Sequence, residues 1–153
     1  MTTFLLRHLS ALLLVAQVFC GTVAMAADEF LPPEQAFRFE ARTIDAHNVE
    51  VVFNVADGHY LYRERFAFAA APAEVKLGKP VIPPGQFMFD ENFGKSLETH
   101  RGRVVIRLPI ESETAAFRLT VTSQGCADAG LCYAPMQSSA RLSLVKASSN
   151  AGR

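Results

Sequence analysis

Cys126 and Cys132 lie in the stretch Gln124-Gly125-Cys126-Ala127-Asp128-Ala129-Gly130-Leu131-Cys132-Tyr133-Ala134-Pro135, with five residues between them. Thiols so placed can bridge for stability, exchange electrons with other thiols, or bind a soft metal. Two glycines and a proline between apolar alternating runs read as a hairpin-like turn, across which the sulfurs can meet. As a pure staple the pair is modest. Closing a seven-residue loop is worth only about 2.4 kcal/mol in the chain-entropy model, and joining distant strands would give more. That magnitude leans toward chemistry, although most disulfides of exported domains are structural.

Other chemistries fit less well. A thioredoxin-type site sets its cysteines two residues apart at a helix start, where the dipole lowers the nucleophile's pKa; here five intervene and no helical pattern follows. Zinc takes three or four ligands, and His47, His59 and His100 are scattered away from the pair, as expected of surface or hydrogen-bonded strand histidines. No metal site is expected. Met88 and Met136 read as packing rather than copper(I) ligands. Neither a nucleophile elbow nor a glycine-rich phosphate loop is present.

The elements that must hold the cysteine turn are strands. Phe37, Phe39 and Ala41 alternate with polar neighbours, and Val49, Val51, Phe53 and Val55 share one face of a second run. Asp57-Gly58 is a turn signal before the extended His59-Tyr60-Leu61-Tyr62, whose exit, Arg63-Glu64-Arg65, is polar. Phe66 and Phe68 alternate again, and Glu74 to Leu77 is a further short strand candidate. Phe87 to Lys95 is apolar but set among turn residues, which predicts a long irregular loop, either functional, as such loops often are, or with its aromatics tucked under the sheet. Val104, Ile106, Leu108 and Ile110 alternate, with Pro109 marking an edge or a bulge. Phe117, Leu119 and Val121 lead into Cys126, and Ala140, Leu142 and Leu144 close the set. Phe30 to Phe37, with Pro32 and Pro33, allows at most a short helical turn. About seven short strands at intervals of about ten residues, without an amphipathic helix, predict an all-β sandwich.

The chain's address comes from its first 26 residues. Arg7 and His8 precede an apolar run from Leu9 to Val18, and Ala24-Met25-Ala26 offers the small residues of a signal-peptidase site. Phe19 is bulky where lipidation at Cys20 would want a small residue, so Cys20 is expected to leave with the signal. The domain then runs over 27–146, followed by a small, polar tail over 147–153 that reads as frayed or as the start of a linker. Cleavage leaves 127 residues, with 14 basic against 15 acidic side chains and a net charge of −1. That balance offers no electrostatic footprint for nucleic acid or anionic lipid. No membrane span is expected after the signal. Two cysteines in an exported chain imply one intramolecular bond, and a bacterial periplasm fits best.

The cysteine stretch resembles closely the active-site loop of the N-terminal periplasmic domain of the thiol:disulfide interchange protein DsbD. Three further segments support the resemblance in the same order: Phe30-Leu31-Pro32 with Gln35-Ala36-Phe37, Asp57 to Arg63, and Asp90 to Ser96. It spans essentially the whole processed chain. The 153 residues contain no segment resembling the family's transmembrane electron carrier or its C-terminal thioredoxin-like domain.

The resemblance implies an immunoglobulin-like antiparallel sandwich with a redox-active cysteine pair that needs no cofactor. It also implies that electrons arrive from a thioredoxin-like donor domain and leave to oxidised periplasmic disulfide isomerases and cytochrome c maturation thiol proteins. Cys132 matches the cysteine that forms the mixed disulfide, and Cys126 the one that resolves it. The family's cap loop, which covers the disulfide until a partner docks, matches Asp90, Glu91, Asn92, Phe93 and Gly94. Asn92 stands where the best-known member has its shielding aromatic, and Phe93 is the neighbouring aromatic.

Asp128 in the loop, with Asp90 and Glu91 in a closed cap, would raise the thiols' pKa and slow random exchange. Tyr60, Tyr62 and Tyr133 either line the site or serve ordinary sandwich packing. The competing reading of the chain is a non-catalytic immunoglobulin-like binding or assembly module whose disulfide is only a staple.

Overall fold

Sustained alternation becomes strand in the computed structural model, which describes residues 30–91, 93–112 and 116–144. The expected signal over 1–26, Asn92 and the tail over 147–153 lie outside the described residues. A single helical turn, α1 (Pro33–Ala36), opens the domain with proline at its start, where the missing N–H costs nothing. Ten strands follow: β1 (Phe37–Thr43), β2 (Asn48–Val55), β3 (His59–Tyr62), β4 (Ala67–Ala71), β5 (Gln86–Asp90), β6 (Lys95–His100), β7 (Arg103–Pro109), β8 (Ala116–Ser123), β9 (Gly125–Ala127) and β10 (Met136–Ser143). A 3-10 turn, Arg63–Arg65, follows β3.

All strand pairs are antiparallel, in sheets ordered β1-β2-β7, β10-β8-β4 and β5-β6-β3-β9. In the first sheet Phe39, Phe53 and Val104 stand in register across three strands, as do Ala41, Val51 and Ile106. Val121 lies opposite Phe68, and Leu119 opposite Ala70, in the second sheet. The inward faces of β2, β7 and β8 merge into one buried cluster with Phe37, Leu61 and Leu142, the core of an immunoglobulin-like β-sandwich.

The third sheet is two-faced. Leu61 points into the main core, while Tyr60 and Tyr62 point the other way, into a smaller cluster with Leu97 and Cys126. Period-two alternation on β3 therefore separates the residues that hold the fold from those that surround the cysteines.

Two segments differ from the sequence expectation. Glu74 to Leu77 forms no strand: a turn over Ala73 and Glu74, with Val75 N donating to Pro72 O, runs into irregular chain, and Leu77 makes an isolated bridge to Ile110. Phe87 to Lys95 is no irregular loop but the heart of the β5–β6 hairpin, with Met88 opposite Leu97. Nor do its aromatics tuck under the sheet, since Phe87 and Phe89 are 75% and 63% exposed. Met88 and Asp90 take the face toward the tyrosines, so alternation sends both phenylalanines to the opposite face, beyond the reach of the main core.

Candidate functional site

The cysteine loop is built on β3. Its short partner β9 pairs Tyr60 with Cys126 and Leu61 with Gly125. A Cβ at Gly125 would sit 2.1 Å from the Tyr60 carbonyl oxygen and 2.9 Å from the Phe37 ring, so only glycine permits this approach. The loop then folds back on itself. Ala127 N donates to Leu131 O at 2.8 Å, Gly130 N donates to Ala127 O at 2.9 Å, and Gly130 turns at φ +98°. Cys132 thereby returns opposite Cys126, and the two form a disulfide with Cα atoms 4.0 Å apart. Asp128 N to Gly58 O (2.7 Å) binds the loop to the body, and Tyr133 N to Gly125 O (3.0 Å) closes its two arms on each other.

The two sulfurs are not equivalent. Cys126 is 1% exposed, whereas Cys132 is only half-buried. Beneath them lie the tyrosines. Tyr62 Oη is 3.1 Å from Cys126 Sγ and 4.0 Å from Cys132 Sγ, and it donates to Asp90 Oδ2. Tyr60 Oη donates to the same carboxylate oxygen at 3.4 Å. Burial, together with these hydrogen bonds, pushes the Tyr62 hydroxyl far above the ordinary tyrosine range, and burial raises Tyr60 as well. Tyr62 therefore keeps its proton at any physiological pH. While that proton is held by Asp90, the phenol oxygen turns lone pairs toward Cys126, an arrangement that favours a protonated sulfur over a thiolate.

Asp90 is 2% exposed and is also the hinge post of the hairpin tip. Its Oδ1 accepts from Phe93 N at 3.1 Å and its carbonyl accepts from Gly94 N at 2.8 Å, closing a tight turn with Gly94 at φ +63°. The Phe93 ring stands edge-on to Tyr62, centroids 5.5 Å apart, and Arg65 lies over it at 5.1 Å. Glu91 is exposed at the tip, and Asn92 lies outside the described residues.

Asp128 is held in a two-pronged pair with Arg101 at 2.7 and 2.9 Å. Those hydrogen bonds hold its carboxyl below the usual carboxylate range. Arg101 also donates to His59 O and covers the Tyr60 ring at 5.0 Å, which braces the cysteine loop against β3. Tyr133 serves the body of the domain: its hydroxyl donates to Leu31 O at 2.8 Å and meets His59 Nε2 at 3.2 Å, and burial raises its pKa.

The histidines divide three ways. His47 is exposed, and His59 is a buried, hydrogen-bonded strand residue. His100 is buried with Nε2 unpartnered, contrary to expectation, and burial, then Arg63, lowers its pKa. Among the described residues no group of three or more histidine, cysteine, aspartate or glutamate side chains could hold a metal ion. None of the helices among them is long and apolar enough to cross a membrane.

Arg65 and Arg101 escaped the sequence reading. Each contacts its partner across 27 or more residues of chain, and nothing in local spacing signals either contact.

The fold and the site define an immunoglobulin-like sandwich that carries a loop disulfide on a tyrosine bed beside a hairpin tip. Residues 27–144 match the family model described as thiol:disulfide interchange protein DsbD, N-terminal. The chain belongs to this DsbD N-terminal domain family. It is 52% identical over 137 residues to a thiol:disulfide interchange protein DsbD of Ralstonia nicotianae, covering 90% of this chain and 22% of that protein. Its identity to the DsbD of Escherichia coli K12 is 37% over 141 residues, covering 92% of this chain and 24% of the relative. The chain thus spans about a quarter of the length of these curated relatives. Among solved structures, the reduced DsbD N-terminal domain of Neisseria meningitidis superposes with TM-score 0.69 at 31% identity, covering 76% of this chain and 92% of that one. The same organism's domain in complex with the PilB N-terminal domain gives TM-score 0.62 at 33% identity, covering 75% and 88%.

Proposed function

We propose that this domain is a periplasmic protein-disulfide reductase module. In this reading it relays electron pairs from a thioredoxin-like donor to oxidised periplasmic proteins, among them disulfide isomerases and cytochrome c maturation thiol proteins. The observation that carries the reading is the unequal burial of the two cysteines, which supports Cys132 as the one a partner attacks. The backbone hydrogen bonds that already tie the loop to the body weigh against a mere staple. The complex of the Neisseria domain supports a docked protein partner, and the signal read in the first 26 residues supports the compartment.

In this reading both half-reactions run through Cys132. A donor thiolate attacks Cys132 Sγ, the Cys126–Cys132 bond breaks, and Cys126 leaves as a thiolate that takes up a proton. The donor's second thiolate then attacks the donor sulfur of the mixed disulfide and releases Cys132. The domain gains two electrons and the donor becomes a disulfide. Delivery reverses the roles: Cys132 thiolate attacks the client disulfide, and Cys126 thiolate attacks Cys132 to re-form the bond and free the reduced client. No cofactor takes part.

The test is a trap. Cys126→Ala mixed with an oxidised periplasmic disulfide isomerase is expected to accumulate a mixed disulfide through Cys132, visible on a non-reducing gel. If none accumulates and the wild-type domain is equally inert, the redox reading fails. A redox titration separates the staple alternative, because structural disulfides have potentials below about −300 mV.

In the same reading the hairpin tip is the cap and Phe93 is its shielding aromatic. Phe93→Ala is expected to speed alkylation of the reduced pair by iodoacetamide. An unchanged rate removes Phe93 from that role.

A further inference from the structure

The 3-10 turn Arg63–Arg65 grips the hairpin tip at two points. Arg65 Cζ lies 5.1 Å from the centroid of the Phe93 ring, which also meets Tyr62, edge-on at 5.5 Å. From the same turn, Glu64 reaches Lys95 Nζ at 3.4 Å, at the first residue of β6, and lies 3.9 Å from Arg65 Nε. The turn is itself well seated. Arg63 donates to Ile82 O at 3.1 Å and Pro83 O at 2.6 Å and pairs with Glu98 at 3.2 Å, while β3 runs directly into it. Tyr62 and Arg65 are therefore presented by one continuous piece of chain, and Phe93 is held between an aromatic ring and a cation.

We infer that Arg65 is a positioning residue for the exchange reaction, keeping Phe93 closed over Tyr62 and the cysteine pair; this rests on Phe93 being the shield. Two contacts compete for the main role. The Glu64–Lys95 pair joins side chains that are 44% and 54% exposed, where ion pairs contribute little. Arg65 and Phe93 are themselves 42% and 38% exposed, but a ring face carries no tightly held water to strip, so the guanidinium over it keeps the modest attraction of an exposed cation–π contact. Gly94 at the tip, with φ +63° and nothing within 4 Å of a notional Cβ, gives the turn room to swing. The cap thus closes through contacts at its tip that a docking partner can replace.

Alkylation of the reduced domain by iodoacetamide reads the latch directly, because cap opening precedes reaction and the rate follows the opening equilibrium. Arg65→Ala is expected to raise the rate about two- to five-fold, with Arg65→Lys between it and wild type. In a Phe93→Ala background the same substitution should add nothing. Loss of a nearby cation acting only through charge would raise the thiol pKa and slow alkylation, so the sign separates the two origins. An unchanged or slower rate in Arg65→Ala overturns the proposal, as does an equal acceleration in both backgrounds. If Phe93→Ala itself leaves the rate unchanged, the shield reading falls and takes the latch with it. A faster Phe93→Ala beside an unchanged Arg65→Ala removes the latch alone. Mixed-disulfide trapping in Cys126→Ala is independent of either outcome.

Discussion

Gly125→Ala is expected to destabilise the oxidised domain by about 2–4 kcal/mol, read as a lower urea midpoint at unchanged slope. The cause is steric and local. The new methyl would meet the Tyr60 carbonyl oxygen at 2.1 Å and the Phe37 ring at 2.9 Å. A ring edge can shift by a few tenths of an ångström, but a backbone oxygen within the β3–β9 pairing cannot move without its strand. Either β9 moves away from β3, which withdraws Cys126 from its place opposite Tyr60, or the strain remains in the native state. Gly102→Ala is the control. Unlike Gly125, it lies at positive φ, +62°, where an added Cβ is strained but meets nothing within 4 Å, so it should cost about 1 kcal/mol. Equal losses for the two variants would show that the close approach at Gly125 is not what limits the fold.

The second large effect belongs to Asp90. Its buried carboxylate accepts from Tyr62, Tyr60 and Phe93 N, so Asp90→Ala leaves buried donors without their acceptor, at a cost of about 2–4 kcal/mol. It should also loosen the tip and speed alkylation. Asp90→Asn is more informative about chemistry, because it keeps the shape and removes the charge. In wild type the carboxylate holds the Tyr62 proton, and the phenol oxygen faces Cys126 Sγ at 3.1 Å with lone pairs. With a neutral amide in its place, the Tyr62 hydroxyl can turn and donate to a Cys126 thiolate. The thiolate is then favoured both by the lost negative charge and by the gained hydrogen bond. The apparent thiol pKa of the reduced domain, taken from the pH dependence of alkylation, should fall by on the order of one unit, or ten-fold in thiolate at neutral pH. Tyr62→Phe divides the two causes. It removes the hydrogen bond but leaves the charge, so adding Asp90→Asn to it should give a smaller fall than in wild type. A thiol pKa unmoved by Asp90→Asn would mean that Asp90 only shapes the turn.

These predictions draw on features of unequal legibility. Strands β1 and β8 could be read from the chain, because alternation of Phe37, Phe39 and Ala41, or of Phe117, Leu119 and Val121, admits only one buried face. The β5–β6 hairpin could not. Phe87 and Phe89 look like core residues by type, yet Met88 and Asp90 are the ones turned toward the tyrosines. A buried aspartate within an apolar run reads as a turn until the phenols that satisfy it are placed beside it. Glu74 to Leu77 failed for the opposite reason: Val75 and Leu77 alternate like a strand but find almost no partner to pair with.

Within the site, the cysteine pair was legible because its two members are neighbours in the chain, separated by only six positions. Sequence by itself determined the period-two pattern, hence an all-β domain, and a turn short enough to bring Cys126 and Cys132 together. Tertiary structure alone decided which sulfur is covered and what lies against it. Asp90 meets Tyr62 across 28 residues, Arg101 meets Asp128 across 27, and Tyr62 meets Cys126 across 64. The physical reason is one of range. Strand alternation and turn geometry are set by neighbouring backbone torsions, whereas burial and the field at a sulfur depend on which distant side chains the packing brings within a few ångströms.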